Sequence, residues 1–344
     1  MVKNIKIKQI HTNSLSCEPL IERAANGDLI CLCQCDGPCE PAPENRVYAF
    51  RSSNEGESWS KKQLVYPENG HAVYCTELCV ENDALLAYLT IHTGKFHNWS
   101  CTVVKSTDNG QTWEDLGAPP FFSTFTFLRK RIVTRDGRIL IPYQHYPVDP
   151  EKQKEAFERY PNLHIAGGMK NKLGYEVPYY ESGVLESKDG GKTYERHVAV
   201  QWLREEVFWP WLEPTIAELS DGTIVMLLRR DGSGALYRCD STDGGKTWGK
   251  CFRTDIPNPG NKPCLIALDK GRIALLHTPN TAKRYPFQLW ISDDDMKTWK
   301  SKTTLTDFPG SYSYSDGFYE DGHIKFVIEH NRHTILYFDV TLEK

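Results

Sequence analysis

The stretch Ser241-Thr-Asp-Gly-Gly-Lys-Thr-Trp248 is one copy of an eight-residue pattern that occurs five times in this chain. The other copies run over Ser52–Trp59, Ser106–Trp113, Ser187–Tyr194 and Ser292–Trp299. In each copy an Asp or Asn can bond the backbone two residues further on, and most copies carry a Gly that allows a positive φ, so a tight turn is expected. The aromatic residue at the end is a large apolar group for a neighbouring element. Turn chemistry accounts for every residue type, so we interpret these boxes as structural and the recurrence as a repeat architecture.

A second periodic signal is a two-residue turn between apolar runs. It occurs at Asn26-Gly27, Asn82-Asp83, Asp136-Gly137, Asp221-Gly222, Lys270-Gly271 and Asp321-Gly322. Asn-Gly and Asp-Gly in this setting are strong hairpin signals. Successive turns are 56, 54, 85, 49 and 51 residues apart. About fifty residues accommodates the four short strands of one propeller blade.

These spacings predict an all-β fold, a six-bladed β-propeller that forms a single domain over residues 1–344. The long interval predicts an insertion in the third blade, at about residues 146–181. The N-terminal segment Lys3–Ile10 is expected to supply the outer strand of the last blade, which would close the ring and remove free sheet edges. The Lys- and Glu-rich insertion is compatible with a lid over the mouth of the propeller, a surface excursion or a dimer contact.

Composition narrows the classes of function. The 344 residues carry a net charge of −4, which argues against a nucleic-acid binder and a basic membrane-surface protein. No apolar run has the length of a membrane span, and residues 1–25 lack the apolar core of a signal peptide. An odd number of cysteines, eleven, then fits free thiols and a cytoplasmic location. Cys31, Cys33 and Cys35 alternate along a predicted strand and no second pair has zinc-like spacing, so we expect no metal and no cofactor.

The boxes and hairpins together resemble the sialidase (neuraminidase) superfamily, whose Asp-box (BNR) repeats sit on six-bladed propellers. The resemblance covers essentially the whole chain and is specific for architecture rather than for activity. It implies a substrate carboxylate held by three arginines, a Tyr nucleophile activated by a Glu, and an Asp acid/base. A phenol suits an anionic sugar because a carboxylate nucleophile would repel the charge of the substrate.

Residue by residue, the resemblance places the activating Glu at Glu213 and the second arginine at Arg229 or Arg230. Arg284 resembles the third arginine. The segment Tyr314-Ser-Asp316 resembles the nucleophile segment, with Tyr312 as the fallback.

The first blade departs from the family pattern. It has Cys17-Glu-Pro19 where an arginine is expected, and residues 36–44 contain no clear counterpart of the acid/base Asp. A sugar other than sialic acid is therefore a rival substrate.

The residues themselves point to the same mouth of the channel. In each predicted blade, polar side chains lie at the start of the innermost strand and at the end of the second strand. These ends are expected to converge on the central axis of the propeller. Besides Arg229, Arg230 and Arg284 they include Glu18, Glu77, Arg129, Lys130, Glu213, Asp316, His145, His277 and Arg332. Glu18 and Glu213 both precede Pro, both lie nine residues before their turn Gly, and belong to opposite blades. Two facing carboxylates suit glycoside hydrolysis, and the alternative is a satisfied ion-pair network.

The leading interpretation is a sialidase-like exo-glycoside hydrolase acting on terminal, acidic sugars of oligosaccharides. Glu213, Tyr314, Asp316 and Glu18 are its candidate catalytic residues. The arginines, Glu77, Lys130 and the histidines are candidates for substrate binding, either as a clamp for an acidic sugar or as charge balance. Two alternatives stay open, a lyase in which His145 or His277 acts with Tyr314 and a non-catalytic carbohydrate-binding propeller. The expected partner is an oligosaccharide, with homo-oligomerisation left open and neither nucleic acid nor membrane involved.

Overall fold

The computed structural model describes residues 2–94, 99–122, 125–147, 179–203 and 211–343, together with 151 and 158. Six antiparallel sheets follow one another along the described chain, five with four strands and one with five. This arrangement is a six-bladed β-propeller, so the predicted fold class is confirmed. Among the described helical residues, no segment is long and apolar enough to cross a membrane.

Blades one to three contain strands β2 to β14. In chain order these are β2 (Ser16–Arg23), β3 (Leu29–Cys35), β4 (Arg46–Ser52) and β5 (Gln63–Leu64), then β6 (Ala72–Glu81), β7 (Ala84–His92), β8 (Ser100–Ser106) and β9 (Glu114–Asp115), then β10 (Thr126–Leu128), β11 (Ile132–Val133), β12 (Ile139–His145), β13 (Tyr179–Ser187) and β14 (Glu195–Leu203). The insertion falls between β12 and β13. Since β13 already begins at Tyr179, the predicted boundary at residue 181 was two residues too late. The rest of the insertion lies almost entirely outside the described residues, including the predicted lid.

Blades four to six contain the remaining strands. These are β15 (Pro214–Glu218), β16 (Ile224–Leu228), β17 (Ala235–Ser241) and β18 (Phe252–Pro257), then β19 (Cys264–Ala267), β20 (Ile273–His277), β21 (Gln288–Ser292) and β22 (Ser301–Thr304), then β23 (Tyr312–Glu320), β24 (His323–His330), β25 (Thr334–Leu342) and the N-terminal β1 (Val2–Thr12). β1 runs antiparallel to β25, with Ile5 opposite Val340 and Ile7 opposite Phe338. The two ends of the chain therefore share blade six, which gives this blade its fourth strand and closes the ring.

The second strand of each blade is the most apolar, because blades pack on both of its faces. Every residue of β3, β16 and β20 is buried. In contrast, the outer strand β14 alternates between exposed and less exposed residues. Continuous burial in the second strands and alternation at the rim fit sheets stacked face to face around an axis.

The box at Ser241–Trp248 shows how these turns are held. Asp243 Oδ1 accepts the Ser241 hydroxyl at 2.7 Å and the Thr247 N–H at 2.9 Å. The Gly245 N–H donates to Ser241 Oγ at 2.8 Å, and Trp248 Nε1 donates to the Gly245 carbonyl at 2.9 Å. The same Ser and acidic contacts recur in the boxes at Ser106, Ser187 and Ser292. The structural interpretation of the boxes therefore agrees with their geometry.

Replacing Asp243 with Ala is expected to lower the free energy of unfolding by about 1 kcal/mol, because several hydrogen bonds of one surface turn are lost. The Thr247 hydroxyl and N–H hold the pKa of Asp243 below its ordinary value. A lowered pKa means that the stabilisation is present at neutral pH and is lost as acid protonates the carboxyl. Chemical denaturation at two pH values measures both effects. Thr242→Ala, at an exposed position of the same box, is the control; an equal loss in both variants would contradict this role.

Candidate active site

Three residues with left-handed backbone conformation face the axis at one mouth of the propeller. They are Glu18 (φ 47°), Glu213 (φ 31°) and Tyr314 (φ 55°). Each stands where the innermost strand of its blade begins, in blades one, four and six. The pairing of β2 and of β23 shifts at these positions, as in a β-bulge that redirects a side chain. Since residues other than Gly rarely adopt this conformation, its repetition at one mouth points to function.

Glu213 is buried between two arginines. Its Oε2 lies 2.7 Å from Arg229 Nη1, and its Oε1 lies 3.6 Å from Arg129 Nη2. The Glu213 N–H donates to Gln144 Oε1 at 2.7 Å, which fixes the unusual backbone. Burial would raise the pKa of Glu213, but Arg229 and Arg129 prevail and hold that pKa at about 2. Glu213 is therefore an anion at neutral pH.

Arg229 connects Glu213 with Tyr314. Its Nε and Nη2 each lie 3.0 Å from one oxygen of Asp231, in a bidentate pair. The nitrogen that donates to Glu213, Nη1, is also 3.5 Å from the Tyr314 hydroxyl. Burial raises the pKa of Tyr314 well above its ordinary value, and the charges of Glu213 and Glu18 add to the shift. The phenol is therefore neutral at rest and stands beside an anion.

Glu18 faces a more nearly neutral environment than Glu213. Its N–H donates to Glu329 Oε2 at 3.1 Å. Burial raises the pKa of Glu18, against Arg129 and with help from the charge of Glu213. Burial likewise raises the pKa of Glu329 to about 8, although the Glu18 N–H opposes the shift. Two carboxyl groups with raised pKa values thus lie on the side of the mouth nearest blades one and six.

Of the two arginines that the sequence offered for the second clamp position, only Arg229 contacts Glu213 and Tyr314. The Arg230 guanidinium stacks between the rings of Trp202 and Tyr237, at 4.9 and 4.7 Å from their centroids. The two guanidinium groups therefore lie in different environments, and only that of Arg229 belongs to the site.

Two further predicted arginines follow the second strands of blades five and six. Arg284 donates from Nη1 to Ser313 Oγ at 2.7 Å and from Nη2 to the Gly260 carbonyl at 2.9 Å, so it spans blades five and six beside the Tyr314 segment. Arg332 forms an ion pair with Glu40 at the rim. Arg284 has no carboxylate within ion-pair distance among the described residues.

Asp316 and Lys130 do not join the Glu213 cluster in the structure. Asp316 Oδ2 accepts the Ile21 N–H at 2.9 Å and lies 3.6 Å from Lys130 Nζ. Ile21 is three residues beyond Glu18 along β2, roughly 10 Å further down the channel at strand spacing. These two predicted site residues therefore form a separate network that ties blades one, three and six together below the mouth.

Glu77 belongs to the same deeper region. Its Oε1 accepts the Arg131 N–H at 3.1 Å and lies 3.2 Å from Arg131 Nε. Burial raises the pKa of Glu77 to about 7, with Arg131 and Lys130 opposing the shift. This residue therefore contacts blade three rather than the Glu213–Tyr314 pair.

The two candidate histidines lie apart from Tyr314. His145 Nδ1 is 2.8 Å from Thr126 Oγ1, and burial lowers its pKa to about 4. His277 packs edge-on against Trp290 with centroids 4.4 Å apart, and burial lowers its pKa to about 3. No hydrogen bond within the described part of the chain joins either ring to Tyr314. Each ring therefore contacts its own blade, blade three for His145 and blade five for His277.

Sequence reasoning missed Asp231 and Glu329. Asp231 follows the second strand of blade four and aligns Arg229, and Glu329 stands near the end of β24, the second strand of blade six. Both obey the rule that polar residues at second-strand ends reach the mouth. Applied to acidic residues as well as to Arg and His, the rule would have identified them.

One group of residues has metal-ligand chemistry. Glu186, Glu195 and His197 lie close together on β13 and β14, with His197 Nε2 3.0 Å from Glu186. Arg138 and Lys188 already pair with Glu186, at 2.8 and 3.2 Å. Because two cations balance this carboxylate, we assign no metal to the group.

Known proteins resemble this chain over most of its length. Residues 27–325 match the BNR repeat-like domain family. A sialidase of Bacteroides fragilis (strain YCH46) is 26% identical over 248 residues, which cover 67% of this chain and 39% of that protein. The chain thus spans well under half the length of this curated relative.

Solved structures share the fold at low sequence identity. The Hadza microbial sialidase Hz136 has a TM-score of 0.73 at 17% identity, covering 95% of this chain and 66% of its own. A protein of unknown function from Dyadobacter fermentans DSM 18053 has a TM-score of 0.72 at 16% identity, covering 99% and 100%. A Trypanosoma rangeli sialidase in complex with 2,3-difluorosialic acid, described as a covalent intermediate, has a TM-score of 0.68 at 13% identity, covering 98% and 59%. The chain is therefore a member of the BNR repeat-like family, built on the six-bladed propeller of the sialidases.

Proposed function

We propose that this protein is a glycoside hydrolase that releases a terminal acidic sugar from an oligosaccharide. The observation that carries the proposal is the trio Glu18, Glu213 and Tyr314, three left-handed residues that direct a carboxyl, a carboxylate and a phenol to one mouth. Left-handed backbone is frequent at functional sites, and here it coincides with three ionisable side chains at one mouth.

Tyr314 is the nucleophile in this proposal. Its Oη attacks the anomeric carbon while its proton passes to Glu213, and the bond from that carbon to the leaving oxygen breaks. Water then attacks the glycosyl–tyrosine bond, and Tyr314 regains its proton from Glu213. Arg229 holds Glu213 and the phenol through one nitrogen, which keeps base and nucleophile aligned.

Glu18 is the proton donor. Its raised pKa favours the acid form, which protonates the leaving oxygen, and the resulting carboxylate then takes a proton from the attacking water. The sequence offered no acid/base Asp in residues 36–44, and Glu18 is a carboxyl group at the same mouth as Glu213 and Tyr314.

The charge of the mouth favours an anionic sugar. The raised pKa values of Glu18 and Glu329 reduce the negative charge of the mouth, and the carboxylates Glu213 and Asp231 face a larger set of cations. The cations are Arg129, Arg229, Lys262, Arg284 and Arg332. A positive, partly desolvated cleft attracts and retains negative groups.

Isotope incorporation tests the reaction class. Acidic oligosaccharides are digested in water enriched in ¹⁸O, and the products are analysed by mass spectrometry. Hydrolysis places one ¹⁸O at the new reducing end. An unsaturated product without the label would indicate a lyase, and unchanged substrate after long incubation would indicate a binding protein; either result contradicts the proposal.

Replacing Glu18 with Gln is expected to remove the proton donor selectively. Activity should fall by about 10²–10⁴-fold on sugars with unactivated leaving groups and much less on aryl glycosides, whose leaving oxygen needs no proton. Because the folded pKa of Glu18 is raised, the wild-type activity should fall as pH rises through that pKa, and this limb should be missing in the variant. Initial rates on both substrate types across pH provide the measurement. An equal loss on both types would contradict the assignment.

A further inference from the structure

Lys262 occupies the same position in blade five as Glu18 and Glu213 in blades one and four. It precedes a proline, Pro263, and lies nine residues before Gly271 in the turn of its blade, the same spacing as in the other two blades. Lys262 is only 5% exposed. Blade five stands between the blade that carries Glu213 and the blade that carries Tyr314, so its equivalent position faces the same mouth.

The Lys262 ammonium has no close partner in the described part of the chain. Among the described residues no hydrogen-bond acceptor is paired with its Nζ and no carboxylate lies within 4.0 Å of it. Its positive charge nonetheless acts on Glu18 and Glu213, where it opposes protonation of both. Desolvating an ammonium without a counterion is unfavourable, so a buried, unpaired lysine at this position favours the binding of an anion.

Arg129 has unused donors at the same mouth. It is 4% exposed, and its one ion pair is the loose 3.6 Å contact with Glu213. Its Nε has no hydrogen-bond partner. The guanidinium lies 5.3 Å from the centroid of the Phe127 ring, which holds it in place without using a donor. Arg129 acts on both Glu18 and Glu213, as Lys262 does.

The other cations of the mouth are already engaged. Arg229 uses three nitrogens on Asp231 and Glu213. Arg332 is paired with Glu40, and Arg284 is fixed on a hydroxyl and a carbonyl.

We propose that Lys262 and Arg129 form the subsite that binds the carboxylate of the acidic sugar. The subsite uses blades three and five, on either side of the blade that carries Glu213, and it compensates for the arginine that blade one lacks. This assignment rests on the proposed function for the identity of the ligand. Charge-assisted hydrogen bonds from two buried cations to the carboxylate provide affinity for acidic sugars and discriminate against neutral sugars.

Binding of free monosaccharides tests the subsite without requiring turnover. Dissociation constants for N-acetylneuraminic acid, glucuronic acid and glucose are measured by calorimetry or NMR titration on the full chain. We expect at least one acid to bind more tightly than glucose. Lys262→Met and Arg129→Met should each weaken that acid by about 10-fold or more, from the strength of hydrogen bonds to charged groups, and leave glucose unchanged. Lys262→Arg and Arg129→Lys should restore part of the affinity.

The control is Lys246→Met, which removes an exposed lysine in the box of blade four and should leave all three affinities unchanged. Thermal unfolding of each variant separates loss of the subsite from loss of the fold. Equal affinity for acids and glucose in the intact protein, or acid binding retained in both methionine variants, would overturn the subsite. Because these titrations measure binding and not turnover, they test the subsite even if the protein hydrolyses no glycoside. Likewise, the hydrolysis experiments test the proposed reaction even if the subsite assignment is wrong.

Discussion

Tyr314→Phe is expected to lower kcat on any cleaved glycoside by about 10³-fold or more, because the nucleophilic oxygen is removed while the ring still fills its place. Tyr314 is buried, and among the described residues its hydroxyl has one hydrogen-bond partner, Arg229 at 3.5 Å. Loss of so long a contact should change the free energy of unfolding little. Steady-state kinetics and denaturant unfolding of the same preparation provide the comparison.

Tyr312→Phe is the matched control for this prediction. Tyr312 is buried in the same strand, and its hydroxyl donates to the Phe308 carbonyl at 2.8 Å, away from Glu213. Its loss should lower the free energy of unfolding by about 1 kcal/mol and leave kcat nearly unchanged. The opposite pattern, with activity lost in Tyr312→Phe and kept in Tyr314→Phe, would move the nucleophile to the fallback residue.

Glu213→Gln and Glu213→Ala are expected to affect both stability and activity. Removing the carboxylate leaves Arg229 and Arg129 without their shared anion, and breaking a buried pair lowers the free energy of unfolding by about 3–5 kcal/mol. Because Gln retains a hydrogen-bond acceptor, the Gln variant should lose less stability than the Ala variant. Loss of the base should reduce kcat by about 10²–10⁴-fold in both.

Glu186→Gln separates the two effects. Glu186 is also a buried carboxylate paired with Arg138 and Lys188, but it lies on β13 away from the axis. This variant should lose stability and keep its kcat. Full activity in a folded Glu213→Gln variant would contradict the assignment of Glu213 as the base.

Much of the fold was predictable because its determinants are local. Each turn at a Gly such as Gly222 requires a positive φ, and each box requires an Asp or Asn beside small residues. Both signals depend on a few consecutive residues, so they can be recognised in the sequence without knowledge of the tertiary structure. Counting them gave six blades. The end of the insertion was less certain, because Tyr179 and Tyr180 suit a loop as well as the strand in which they lie.

The site was predictable only in part, because it depends on the direction of side chains around bulges. The equivalence of Glu18 and Glu213 was visible from their spacing to the turn, and the same spacing at Lys262 carries the anion subsite. Asp316 belongs to the same segment as Tyr314, yet the left-handed backbone at Tyr314 separates the two, and Asp316 bonds Ile21 further down the channel. Which of Arg229 and Arg230 faces the axis is likewise decided by the tertiary structure rather than by composition, because both follow the end of β16.

The central claim is that this mouth cleaves the glycosidic bond of an acidic sugar. The most direct test is the release of fluorophore from 4-methylumbelliferyl glycosides of sialic acid, glucuronic acid, galactose and glucose by the purified chain and by Tyr314→Phe. We predict cleavage of a sialoside or a glucuronide, no comparable cleavage of the neutral glycosides, and loss of the activity in Tyr314→Phe. Preferential cleavage of a neutral glycoside, or cleavage that survives in Tyr314→Phe, would contradict the account.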